Sequence, residues 1–264
     1  MPTIISVSNL TKSYGELIAV DNASFHVNAG EIFAFLGPNG AGKTTTIKIL
    51  TTLLHRTGGE VLVAGADPAT NSNDVRHNFG IIFQEQSHDD DLTCYENMEF
   101  HAVLYGIDKP TRTKRIKDML TYVDLWERKD SLVKEFSGGM RRRMEIARGL
   151  LHHPKILFLD EPTLGLDPQT RNYIWDYIQK LSTTENMTVF FTTHYMEEAE
   201  RYADRVGVID YGKIIAIGTP TELKAQTKTS NLQDAFISLT GHQIREEKPD
   251  PHASIKRSKK MGRF

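Results

Sequence analysis

Short apolar runs punctuated by glycine alternate along the chain with stretches whose apolar residues recur at helical spacing. "TIISVSNL" from Thr3, "ASFHV" from Ala23, "EIFAFLG" from Glu31 and "VLVAG" from Val61 read as strands. "GIIFQ" reads as a short buried strand ending at Gln84. Residues 96–151 are mostly helical in pattern, with Ile116, Met119, Leu120 and Val123 on one face. Strand signals return at "KILFLD", "MTVFFTTH", "RVGVID" and "GKIIAIG", with a helix around "RNYIWDYIQKL" among them. Such alternation predicts an α/β fold with a largely parallel sheet. The helical block at 88–152 is expected to stand as a separate lobe. "TPTELKAQ" opens with a helix N-cap signature, and Leu232, Ala235, Phe236 and Leu239 mark a last helix over 231–240.

Composition narrows the picture modestly. A chain of 264 residues, 39% hydrophobic, buries a full core without covalent staples, and the single Cys94 supplies none. No apolar run approaches the roughly 18 residues that cross a bilayer, and "MPTIISVSNLTKSYG" lacks the basic-then-apolar order of a leader. The expectation is a cytoplasmic protein whose membrane role needs a partner. Net charge is −2, yet residues 241–264 carry seven Lys/Arg against three Asp/Glu, so the body is acidic. An acidic body argues against a nucleic-acid partner. The end of the chain is polar and aperiodic and reads as disordered. Its basic residues Lys256, Arg257, Lys259, Lys260 and Arg263 suit contact with an anionic membrane surface, and a merely solvated tail is the competing reading.

"GPNGAGKT" follows a strand and precedes a helical run, the context a phosphate-binding loop requires. Gly37, Gly40 and Gly42 let backbone N–H groups converge on phosphate oxygens at a helix N-terminus. Pro38, Asn39, Ala41 and Thr45 complete the stretch assigned to the nucleotide. Lys43 brings a point charge to the outer phosphates and Thr44 a hydroxyl for Mg²⁺. A plain glycine-rich turn is the competing reading. "ILFLDE" is an apolar strand that ends in two carboxylates. Asp160 at the sheet's C-terminal edge suits a Mg²⁺ ligand, and Glu161 suits a base or orienter for an attacking water. A helix cap or turn is the alternative there.

"FSGGMRRRMEIARGLL" poses a puzzle, because a helix N-terminus carries about +0.5 charge and disfavours arginines. An exposed, donor-rich helix start suits an anion. In this order the three motifs resemble the nucleotide-binding subunit of ABC transporters, over about residues 3–220. The resemblance implies a P-loop NTPase with a RecA-like core, an N-terminal antiparallel β subdomain and an inserted helical lobe. It implies a nucleotide-binding domain over 1–220, a helical extension over 221–244 and a basic tail over 245–264.

The resemblance also assigns roles. Ser137, Gly138 and Gly139 would cap the γ-phosphate of ATP held by a second copy, with Met140 and Phe136 departing from the usual Gln and Leu. Gln84 would sit near Mg²⁺ and the water, and His194 would contact the γ-phosphate. Asp167 would cross the dimer interface, and Tyr14 would stack on adenine. Arg141–Arg143 receive no specific contact. "FSGGMRRR", "EPTLGLDPQTR" and "NLQDAFISLTG" narrow the likeness to the daunorubicin-resistance-type subgroup of type-2 ABC exporters. The implied activity is ATP hydrolysis by a dimer around two Mg-ATP that drives a separate transmembrane permease, at the inner face of the membrane. A soluble ABC ATPase acting on ribosome or DNA is the alternative. Such proteins usually carry tandem cassettes or a long coiled coil, whereas one cassette is present here. His152 and His153 have no matching ligand cluster, so no zinc is expected, and Cys94 reads as structural.

Overall fold

A computed structural model describes residues 2–85 and 87–241; the basic tail at 245–264 lies outside the described residues. Strands β1 (Thr3–Tyr14), β2 (Leu17–Asn28) and β4 (Gly58–Val63) form an antiparallel sheet in the order β2-β1-β4. A six-stranded sheet has the order β5-β6-β7-β3-β8-β9. In it β3 (Ile32–Leu36), β5 (Phe79–Ile82), β6 (Ile156–Asp160), β7 (Thr188–Thr193) and β8 (Arg205–Asp210) run parallel. Strand β9 (Lys213–Gly218) closes one edge antiparallel to β8. The expected strand ending at Gln84 stops at Ile82, and the chain has already bent away when it reaches the glutamine.

The central strands are buried on both faces, which is why they read as continuous apolar runs rather than alternating ones. Their period of two still sorts the side chains. Phe33 and Phe35 of β3, Phe158 of β6 and Phe190 of β7 share one cluster with Phe25 of β2; Phe33, Phe35 and Phe190 meet the Phe25 ring and Phe158 packs on Phe190. Four of these rings (Phe25, Phe33, Phe35 and Phe190) lie with centroids 5.3–6.2 Å apart, and each buried ring contributes about 1.5–3 kcal/mol. Ile32, Ala34 and Leu36 point the other way, into a layer shared with α6 (Pro168–Glu185) through Ile174, Trp175 and Ile178.

The helices from α3 (Cys94–Leu104) through α4 (Lys109–Tyr122) to α5 (Gly138–Leu150) enclose their own core of Cys94, Met98, Ile116, Leu120 and Met144. Helix α5 belongs to two cores. Met144 and Ala147 face the helical lobe, whereas Ile146 and Leu150 pack into the main core. Its contact with β5 is backbone-close: a Cβ on Gly80 would sit 2.2 Å from the Gly149 carbonyl. Beyond β9, α8 (Pro220–Thr227) starts with a Thr219–Glu222 capping box, and α9 (Leu232–Thr240) buries Leu232, Ala235 and Phe236. Short helices α1 (Lys43–Leu50), α2 (Ser72–Asn78) and α7 (Met196–Tyr202) complete the set. Among the described residues no helix is long and apolar enough to cross a membrane.

Candidate functional site

Residues 37–42 join the end of β3 to α1, the place where a parallel sheet leaves a crevice outside its strand ends. Gly42 caps α1 at φ +107°, a left-handed conformation, and a Cβ there would lie 2.5 Å from the Ala19 carbonyl of β2. No side chain caps this helix start, so its donors face the loop interior where an anion fits. Lys43 is buried, and its ammonium donates to the Gly37 and Pro38 carbonyls at 2.7 and 3.2 Å. The loop therefore wraps its own carbonyls around the Lys43 ammonium.

Asp160 ends β6 with 4% of its surface exposed. Its Oδ1 accepts from Thr192 Oγ1 at 2.6 Å, and its Oδ2 accepts from Thr44 Oγ1 at 3.4 Å. Burial raises the pKa of this carboxyl above the usual aspartate range, against the hydrogen bond from Thr192. Gln84 lines a cavity of about 320 Å³ with Thr44, Lys48 and Asp160. Thr44, Gln84 and Asp160 offer hard oxygen donors, the kind that a magnesium ion prefers.

Glu161 follows with φ +50°, uncommon for a residue with a side chain. Its N–H donates to the Thr192 carbonyl and to Thr192 Oγ1, both at 3.1 Å. Its carboxylate lies 2.8 Å from His194 Nδ1. Burial pushes the Glu161 pKa upward, but the hydrogen bond and charge of His194, with Lys43 behind, leave it below the usual range. Adjacent carboxyls are thus driven in opposite directions. Thr192 was not singled out in the sequence, although its place at the end of "VFFTT" put a hydroxyl beside Asp160 in the parallel register.

Ser137 caps α5, its Oγ accepting from the Met140 N–H at 3.3 Å. The hydroxyl proton remains available for donation. A second cavity, about 250 Å³, is lined by Ser137, Gly139, Met140, Arg143, Thr170 and neighbours, and shares no residue with the Gln84 cavity. Asp167 caps α6 by accepting from the Thr170 N–H and hydroxyl at 3.0 and 2.6 Å. Tyr14 stands exposed at the β1–β2 turn with Lys12 Nζ 4.9 Å from its ring centre. The fold thus gathers Lys43, Thr44, Gln84, Asp160, Glu161 and His194 at one sheet edge. Ser137–Gly139 and Asp167 form a separate surface.

The expectation that Arg141–Arg143 make no specific contact is corrected. Arg142 is 7% exposed and donates to the carbonyls of Pro162, Phe83 and Glu161 at 2.6, 2.6 and 3.2 Å. Arg143 donates to the Val123 carbonyl and Arg141 to that of Lys134. A signal was present: Arg142, Ile146 and Gly149 follow i, i+4, i+7, which places the arginine on the core-facing stripe.

A phosphate loop, a strand-end Asp-Glu pair and a glycine-started helix on one α/β core match a known family model, described as ABC transporter, over residues 20–164. The chain belongs to the ABC transporter family. It is 40% identical over 242 residues to the linearmycin resistance ATP-binding protein LnrL of Bacillus subtilis, spanning 89% of this chain and 78% of that one. It is 42% identical over 229 residues to the daunorubicin/doxorubicin resistance ATP-binding protein DrrA of Streptomyces peucetius, spanning 87% and 69%. Among solved structures it resembles the dimeric post-hydrolysis ATP-binding cassette MJ0796 bound to ADP and Pi, with TM-score 0.73 and 27% identity over 81% of this chain and 98% of that one. The ABC chain described here is an ATPase subunit of a transporter.

Proposed function

We propose that this ABC subunit hydrolyses Mg-ATP between two copies of itself and powers export through a separate permease. The observation that carries the reading is the single edge on which the fold sets Lys43, Thr44, Asp160 and the Glu161–His194 pair. Thr44, Asp160 and Gln84 would hold Mg²⁺, which supplies charge neutralisation at the phosphates when bound. Lys43 and the glycine-rich loop bind the triphosphate, and Tyr14 offers a face to the base. Glu161, ionised well below neutrality, orients a water and accepts its proton. His194 holds that carboxylate by one hydrogen bond and presents its ring to the γ-phosphate.

The Ser137–Gly139 helix start is set apart from the phosphate loop, which suits a phosphate held by a second copy. Asp167, at the start of α6, lies on the same surface. ATP would join the copies, and loss of the γ-phosphate contact would release them. The resistance functions named for the relatives support export of a small molecule. Glu161→Gln tests the reading: ATP still binds, turnover falls at least a hundredfold, and an ATP-dependent dimer accumulates on a sizing column. Wild-type turnover in that variant removes Glu161 from the assigned role.

A further inference from the structure

Three polar side chains at i, i+3 and i+6 of α5 are turned inward, on a helix that otherwise buries apolar groups. Arg142 binds the carbonyls on both sides of the site: Phe83, just before Gln84, and Glu161 with Pro162, at the proposed base. Glu145, 2% exposed, pairs with Arg142 at 3.1 Å and accepts from the Ser87 N–H at 2.9 Å. Arg148 donates to the Ser87 carbonyl at 2.6 Å and to the Ser87 hydroxyl. Apart from the Arg142–Glu145 pair within α5, every one of these partners belongs to the segment after β5 or to the turn after β6. The same helix begins at Ser137–Gly139, and its far end rests backbone to backbone on β5.

A planar guanidinium has donors in a fixed fork, so bonding two separate segments fixes their spacing as well as their presence. Glu161 also sits at positive φ, a conformation that persists only where its surroundings hold it. Thr192 holds its N–H and Arg142 its carbonyl. We propose that Arg142 is the positioning residue that ties the Ser137–Gly139 turn to Glu161 and the Gln84 segment of its own chain. A phosphate captured at that turn from the second copy then sets the geometry of this chain's own hydrolytic edge. The two ATP sites are thereby coupled through α5. The inference rests on the two-copy reading above and adds a route between the sites.

The test compares full-length wild type with Arg142→Gln, Arg142→Lys and the double variant Arg142→Gln/Glu145→Gln. Each is measured for nucleotide affinity of the monomer, melting temperature, kcat and the Hill coefficient for ATP. Arg142→Gln is expected to keep monomer affinity within twofold, to lose at least tenfold in kcat and to bring a Hill coefficient above one down to one. It also takes the guanidinium from the buried Glu145 carboxylate, which keeps the Ser87 N–H and His88 Nδ1 beside it, so lost stability alone has to be separated from lost coupling. The double variant removes that charge and is expected to recover melting temperature without recovering cooperativity. Arg142→Lys keeps the charge without the fork and is expected to behave likewise. Return of wild-type cooperativity in either variant overturns the proposal, because charge balance then suffices. A wild-type Hill coefficient of one overturns it too. Combined with Glu161→Gln, Arg142→Gln is expected still to form the ATP-dependent dimer. Failure of the dimer in Glu161→Gln alone instead removes the two-copy reading, and this inference with it.

Discussion

Replacing Thr192 by valine keeps the shape of β7 and removes one hydroxyl from the centre of the site. That hydroxyl donates to Asp160 at 2.6 Å while accepting from the Glu161 N–H at 3.1 Å. The Glu161 N–H keeps the Thr192 carbonyl as acceptor, so the main loss falls on the buried carboxylate. A hydrogen bond to a charged group is worth about 1.5–3 kcal/mol, which for a chain of this size lowers the melting temperature by roughly 3–12 °C. The pH dependence is more telling. Burial already raises the Asp160 pKa, and the bond from Thr192 opposes that rise. Asp160 therefore favours folding most when neutral, below the unfolded carboxylate pKa, and this contribution is lost as pH rises through the folded value. Activity is expected to run the other way, because the cation binding proposed for Asp160 needs the carboxylate. Asp160 is raised and Glu161 is held below the usual range, so of the two carboxyls Asp160 loses its charge first as pH falls, and it is expected to contribute to the acid limb of the rate profile. Thr192→Val is expected to move that limb to higher pH and to raise the Mg²⁺ concentration needed at a given pH, while Thr192→Ser leaves both in place. An acid limb that stays put in the valine variant, or moves down, refutes the argument.

Gly138 offers the cleaner position for blocking the surface assigned to a second copy. A Cβ there meets Leu166 at an ordinary 3.7 Å, whereas one on Gly139 is forced to 2.8 Å from Thr170 of its own chain. Gly138→Asp is expected to abolish the ATP-dependent dimer of Glu161→Gln on a sizing column while monomer nucleotide affinity stays within twofold. Burial pushes the Cys94 thiol up to about 12, so iodoacetamide at pH 8 is expected to label the native chain at least a hundredfold slower than the unfolded one, read by mass spectrometry. The chain truncated after residue 244 is expected to lose low-salt co-sedimentation with anionic vesicles shown by the full chain, since each basic residue near such a surface is worth about 1 kcal/mol. Equal binding of the two dismisses the membrane contact, and ATPase activity of the free chain is expected to stay the same.

What the sequence showed clearly is what one short window contains. The phosphate loop needs three glycines, a lysine and a threonine between a strand and a helix, and all of them are contiguous at 37–44. Asp160 and Glu161 were legible because a buried strand delivers its last residue to the sheet edge. Strand order was not legible: β3 lies between β7 and β8, partners more than 150 residues away, and no local pattern encodes that pairing. Thr192 was missed for the same reason, since its importance exists only once β6 and β7 are in register. The predicted end of β5 runs two residues past Ile82 because Phe83 continues an apolar run that the backbone does not.

Arg142 shows a different limit. Three consecutive arginines at a helix start read as a solvated charge cluster, and for Arg141 and Arg143 the partners are carbonyls at the margin of the lobe. Helical geometry separates the three by about 100° each, so one of them had to face the interior if the flanking residues did. Gly149 and Ile146 already identified that face, and Glu145 supplied a countercharge three residues on. A buried pair of this kind gives little net stability against an apolar pair of the same volume. Its presence at a junction of two cores is better explained by geometry, because a guanidinium fork fixes the spacing of the segments it joins. Apolar packing there would hold the elements together equally well while leaving the Glu161 carbonyl without its donor.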